Sequence, residues 1–84
     1  MNKKLVTFHL NEAHEQLQAI LDEMSRDDDY GYGEYVVEMQ HLYYHLNTAW
    51  NARDASNEEA EPISDGLFNR WGRFPRDLPL MQVD

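Results

Sequence analysis

EYVVEMQHLYYHLNTAWNARDA, residues Glu34 to Ala55, sets apolar side chains at Tyr35, Val36, Met39, Leu42, Tyr43, Leu46, Ala49 and Trp50. These recur at i, i+3, i+4, i+7, the spacing of a helix with one buried side. Neither Gly nor Pro interrupts the run. A helix over 34–55 is therefore expected, with the eight side chains gathered into one broad stripe. The same segment holds two of the four histidines and one of the two tryptophans.

Working upstream, Asn11 to Arg26 repeats the pattern through Leu10, Ala13, Leu17, Ile20, Leu21 and Met24. Leu10, Ala13, Leu17, Ile20 and Met24 also keep the alternating three-and-four spacing of a coiled-coil seam, over about two heptads. Thr7 or Asn11 can cap this helix, with Glu12 and Glu15 near its positive end. Between the two helices lies Asp27 to Gly33, DDDYGYG. Three acids and two glycines stop the first helix there, and a connection this short favours antiparallel neighbours. Lys3 to Leu10 reads either as a short strand, from its alternation and β-rich composition, or as the opening turns of the first helix. A lone strand lacks a partner, save the C-terminal tail, so the helical or irregular reading is preferred.

Downstream, Ser56-x-x-Glu59 has the spacing of a capping box, and Pro62 should stop any helix there within about a turn. Ser64 to Gly72, SDGLFNRWG, offers a cap at Ser64 or Asp65 and an apolar face of Leu67, Phe68 and Trp71. Gly72 is expected to end that helix in the left-handed conformation. Residues 73–84 carry Pro75 and Pro79 and should be extended, with Phe74, Leu78, Leu80 and Met81 free to pack on the helices or a partner. Arg53 falls back at the angle of the apolar stripe, where Asp54, Glu58 or the tail can pair with it.

The expected architecture is all-α. It is an antiparallel two-helix hairpin of helices at about 11–26 and 34–55, a short third helix at 65–72 and an extended tail, all within one small helical domain spanning 1–84. Two helices bury little surface alone, so homodimerisation into a four-helix arrangement is kept within that expectation.

The totals narrow the function classes. There is no cysteine, which removes disulfides and zinc–thiolate sites and fits a reducing, cytoplasmic setting. No stretch approaches the roughly 20 apolar residues of a membrane span, and the basic opening lacks the apolar run of a signal peptide. Net charge is −9, unevenly spread: residues 10–65 hold fourteen acids against Arg26 and Arg53. Direct nucleic-acid binding is disfavoured, because phosphate contacts need clustered Lys and Arg. A protein partner with a basic surface is compatible.

The sharpest chemical candidate is Glu38, His41 and His45, with Glu34 nearby. At about 100° per residue they share one polar strip beside the apolar stripe. A carboxylate and two imidazoles at i, i+3 and i+7 can hold a divalent transition metal. Glu38-Met39-Gln40-His41 resembles the Glu-x-x-His element of the ferritin-like di-iron carboxylate proteins over these four residues. Such proteins use two elements of this kind with further glutamates from facing helices, and this chain has one. The bland alternative is a solvated strip of Glu–His pairs. A calcium loop starting at Asp27 would place Asp29 third and Glu38 twelfth, but Gly31 and Tyr32 fall where Asp or Asn and then Gly are needed.

No nucleophile elbow, phosphate-cradling loop or metalloprotease pattern is present, so an enzyme is not expected. Tyr30, Tyr32 and Tyr44, with Asp27, Asp28 and Asp29, have the composition of a protein-binding surface. Tyr35, Tyr43, Trp50 and Trp71 read as core. The expectation is a non-enzymatic, acidic protein–protein interaction module without a cofactor. The alternative is a small metal-binding protein using Glu38, His41 and His45.

Overall fold

The computed structural model describes residues 1–60 and 64–82, and every regular element among them is helical. Helix α1 runs Lys3–Arg26, α2 Tyr32–Asn51, α3 Asn57–Ala60 and α4 Asp65–Trp71. The two long helices pack against each other as an antiparallel hairpin, with the start of α1 beside the end of α2.

Lys3 to Leu10 is helix, continuous with the rest of α1. Its anchor is Asn2. The Asn2 side-chain oxygen accepts from the Leu5 amide at 3.1 Å, capping the first turn. Its amide group donates to the Ala55 carbonyl at 2.8 Å and to Asn57 Oδ1 at 3.0 Å. Its backbone N–H donates to the Arg53 carbonyl at 2.6 Å. One residue thus starts α1 and ties it to the chain leaving α2, which outweighs the β preference of Val6 and Thr7.

The turn is shorter than the sequence suggests. Asp27 N–H closes α1 on the Glu23 carbonyl at 2.9 Å, Asp27 Oδ1 accepts from the Asp29 amide at 2.9 Å, and α2 already begins at Tyr32. Glu34 reaches back to accept from the Gly31 amide at 3.0 Å. At its far end α2 stops at Asn51 rather than Ala55, because the chain there is held by other bonds. Arg53 donates to the Trp50 carbonyl at 2.8 Å, and Asn51 donates to the carbonyls of Trp71 and Arg73.

The core differs from the expected stripe. Ala13, Ile20 and Leu42 form its centre, with Tyr35 and Met39 packed against them. The contact between the long helices also buries His9, His45, Thr48, Ala49 and Ala52. Small and imidazole side chains share this buried seam with Ile20 and Leu42, and several of the larger apolar residues flank it. Leu10, Leu17, Leu21 and Met24 remain 45–54% exposed, and Tyr43 and Leu46 are exposed as well.

Ser56 and Glu59 form the expected reciprocal cap on α3, at 3.1 and 3.2 Å. The stop expected at Pro62 lies outside the described residues. Ser64 caps α4 through the Leu67 amide at 3.1 Å. Gly72 ends α4 at φ −77° and ψ −6°, a right-handed conformation rather than the left-handed one expected. Close approach is what its position demands: a Cβ on Gly72 would lie 3.0 Å from the Tyr44 ring and 3.0 Å from the Phe68 carbonyl. Asn47 clamps the same point, donating to the Gly72 carbonyl at 2.9 Å.

The tail is irregular and anchored at Arg73, Phe74 and Asp77. Phe74 meets the Tyr43 ring edge-on at 5.2 Å, and Asp77 accepts from Trp50 Nε1 at 2.9 Å and from Arg53 at 3.3 Å. Leu80 and Met81 do not pack back on the helices; both are almost fully exposed. No described helix is long and apolar enough to cross a membrane.

Candidate functional site: a buried histidine chain

The antiparallel register brings His9 of α1 to His45 of α2. Their Nδ1 atoms are 3.0 Å apart. His45 Nε2 lies 3.2 Å from His41 Nε2, one turn earlier on α2, and His41 Nδ1 contacts Gln16 Oε1 on α1. His9 and His45 are only 8% and 7% exposed, while His41 is exposed.

The chemistry of a neutral imidazole, one donor and one acceptor, fixes the tautomers along this chain. With the Gln16 oxygen as the terminal acceptor, His41 carries its proton on Nδ1. His41 Nε2 then accepts from His45 Nε2–H, and His45 Nδ1 accepts from His9 Nδ1–H. Every bond in the row is satisfied when all three rings are neutral. Burial lowers the proton affinity of His9 and His45, and each is lowered further by a neighbouring imidazole, His45 for His9 and His41 for His45. Glu12 opposes both shifts. The row links solvent at His41 to a pocket of about 370 Å³ lined by Leu5, Phe8, His9, Tyr44 and His45. Such an arrangement can store or pass a proton.

Glu38 does not join His41 and His45. Its carboxylate accepts from the Tyr30 hydroxyl at 2.9 Å. It also raises the proton affinity of Glu23 on α1, chiefly through a hydrogen bond. Burial, then the bond to Glu38, pushes the Tyr30 phenol up to about 12. Among the described residues, no three carboxylate, thiol or imidazole groups are placed to hold a metal ion. His45 offers Nδ1 to one neighbour and Nε2 to the other, so the three rings do not converge on a single point.

The residues read as partner-binding separate into two groups. Asp27, Asp28, Asp29 and Tyr32 are exposed together at the turn, Tyr32 at 82%. Tyr30 is half-buried beside Glu38. Tyr44 is not a surface tyrosine: it stacks on Phe68 at 4.4 Å and lies edge-on to His9 and His45. Its role is to seat α4, and burial raises its phenol pKa.

His9 is the member that reading α2 alone misses. The signal was present in the register. A turn centred near residue 29 pairs positions whose numbers sum to about 58, and His9 and His45 sum to 54, about one helical turn from that register. The chain matches no protein-family model, and comparison with curated proteins and with solved structures finds no significant similarity.

Proposed function

We propose that this protein is a non-enzymatic interaction module whose acidic turn binds a basic protein surface. The observation that supports it is electrical polarity along the hairpin. The three ion pairs among the described residues, Met1 with Asp54 and Arg53 with Asp54 and Asp77, sit at the end away from the turn. At the turn, Asp27, Asp28, Asp29 and Glu34 are exposed and have no ion-pair partner among the described residues. Tyr32 and Val37 stand exposed among them. Unpaired acids around an aromatic and an aliphatic side chain offer a basic partner both long-range attraction and an apolar anchor.

Affinity capture with the full chain, followed by titration of the recovered complex against salt, tests this reading. The expected partner is rich in Lys and Arg at its contact surface, and its affinity falls about tenfold or more between about 50 and about 500 mM salt. Binding indifferent to salt, or unaffected by Asp27→Asn with Asp28→Asn, rules the acidic turn out.

The second reading is metal binding at His41 and His45, without Glu38, which is bonded to Tyr30. The 3.2 Å between His41 Nε2 and His45 Nε2 approaches the roughly 3.3 Å between two nitrogens on one tetrahedral ion. Those two imidazoles would hold the ion, with water completing its shell. Thermal melts of chelator-treated protein with and without zinc, nickel or iron decide it, since a bound ion raises the melting temperature.

A further inference from the structure

The exposed leucines of α1 form a line. At about 100° per residue, Leu10, Leu17, Leu21 and Met24 fall within about 60° of one another, about 70° round from Ala13 and Ile20. On α2, Met39, Leu46 and Trp50 lie about 70° round from Leu42 and Ala49 in the same angular sense. In an antiparallel pair, equal sense means the same side. The two rows therefore border one face of the hairpin, opposite the side that carries His41.

The Leu10–Met24 line itself carries no acid in a protein of net charge −9, and at the Trp50 edge Arg53 lies over the ring and pairs with Asp77. The α1 positions beyond the leucine line are Thr7, Asn11, His14, Gln18, Ser25 and Asp22, whose carboxylate accepts from Gln18 at 3.0 Å. A basic partner would find no carboxylate along the leucines themselves, whereas a second copy meets no acidic repulsion there.

Surface area supports the same occupant. A compact monomer of 10.0 kDa exposes roughly 5,200 Å². This chain exposes 6705 Å², an excess of roughly 1,500 Å². The extended tail takes a share, and a standard interface hides about 800 Å² per partner.

We infer that a second copy of this chain docks on the Leu10–Leu17–Leu21–Met24 face, with the two α1 helices antiparallel about a two-fold axis near Leu17. The axis seats Leu17 on its counterpart and Leu10 on Met24 of the other copy. Lys3 continues the leucine line seven residues before Leu10, and the axis carries Lys3 and Lys4 toward the acidic turn of the other copy. A parallel pairing would set acidic turn against acidic turn. The leucine line at the centre of this contact is a different face from the acidic turn, while the ends of the contact share that turn with the proposed partner site.

Light scattering on the full chain at about 100 µM should give a particle of about twice the monomer mass. Leu17→Gln with Leu21→Gln, which keeps charge and helix propensity, should yield a monomer of unchanged helical circular dichroism that still binds a basic partner. Orientation is tested by mixing. Lys3→Glu/Lys4→Glu chains and Asp27→Lys/Asp28→Lys chains should each associate at least about tenfold more weakly than wild type, and the mixture should recover the dimer. A monomeric wild type, or a dimer untouched by the double glutamine variant, overturns the proposal, and failure of the mixture to recover overturns the antiparallel arrangement.

Discussion

The buried histidines give the molecule a pH response whose sign follows from their environment. His9 and His45 both bind protons less readily than the ordinary value of 6.5. Below that value the unfolded chain takes up protons that the folded one refuses. Stability is therefore complete above about pH 6.5 and falls as pH drops through the lowered values. The groups facing the pair are Glu12, which resists the loss, and His41 and Tyr44, which do not carry the opposite charge. The melting temperature should fall from pH 7 to about 5, and His9→Gln should flatten that slope. A flat wild-type profile would mean the imidazoles stay as solvated in the fold as out of it. Gly72 is the other residue with a sharp consequence. Gly72→Ala should destabilise by about 1–3 kcal/mol in denaturant unfolding, because the Tyr44 ring and the Phe68 carbonyl already occupy the space of a methyl group. That a glycine belongs here was legible from the apolar face ending at Trp71. The reason was not, since it depends on a contact with another helix.

At the scale of elements, legibility tracked periodicity. Helix α2 has an uninterrupted repeat and was readable almost to its ends. The start of α1 was ambiguous because Val6 and Thr7 favour strands and alternate with polar neighbours, while the deciding bonds come from Asn2 to residues more than 50 positions away. Asn2→Ala should cost about 1–2 kcal/mol for the lost cap, more if the Ala55 carbonyl is left dry. Hydrogen exchange should then quicken across Lys3–Leu10 while the amides around Ile20 hold. The stripes were the less faithful guide. Eight apolar positions on α2 were grouped as one face, yet the helices meet where side chains are short, at Ala13, Ala49 and Ala52, with imidazoles alongside. Period alone ranks positions by angle and says nothing of how close two backbones come. The same limit hid His9, whose partner lies on the other helix, and turned Glu38 from a presumed ligand of His41 into a partner of Tyr30.

Across the whole molecule, the uneven charge visible in the sequence becomes a structural asymmetry with opposed effects on stability and binding. The acids at the turn outnumber their one neighbouring cation, Arg26, and exposed repulsion of this kind is screened by salt. Added salt should raise the melting temperature of the free protein while weakening its complex with a basic partner. Asp28 separates these effects best, since it is exposed and, unlike Asp27, holds no bond to the backbone of the turn. Asp28→Lys should stabilise the free chain by a few tenths of a kcal/mol, in line with a relieved surface repulsion. The same change should slow association with the partner about tenfold. If Asp28→Lys instead lowers the melting temperature, the turn needs that carboxylate for its own shape, and its acidity would then reflect folding rather than a surface kept for binding.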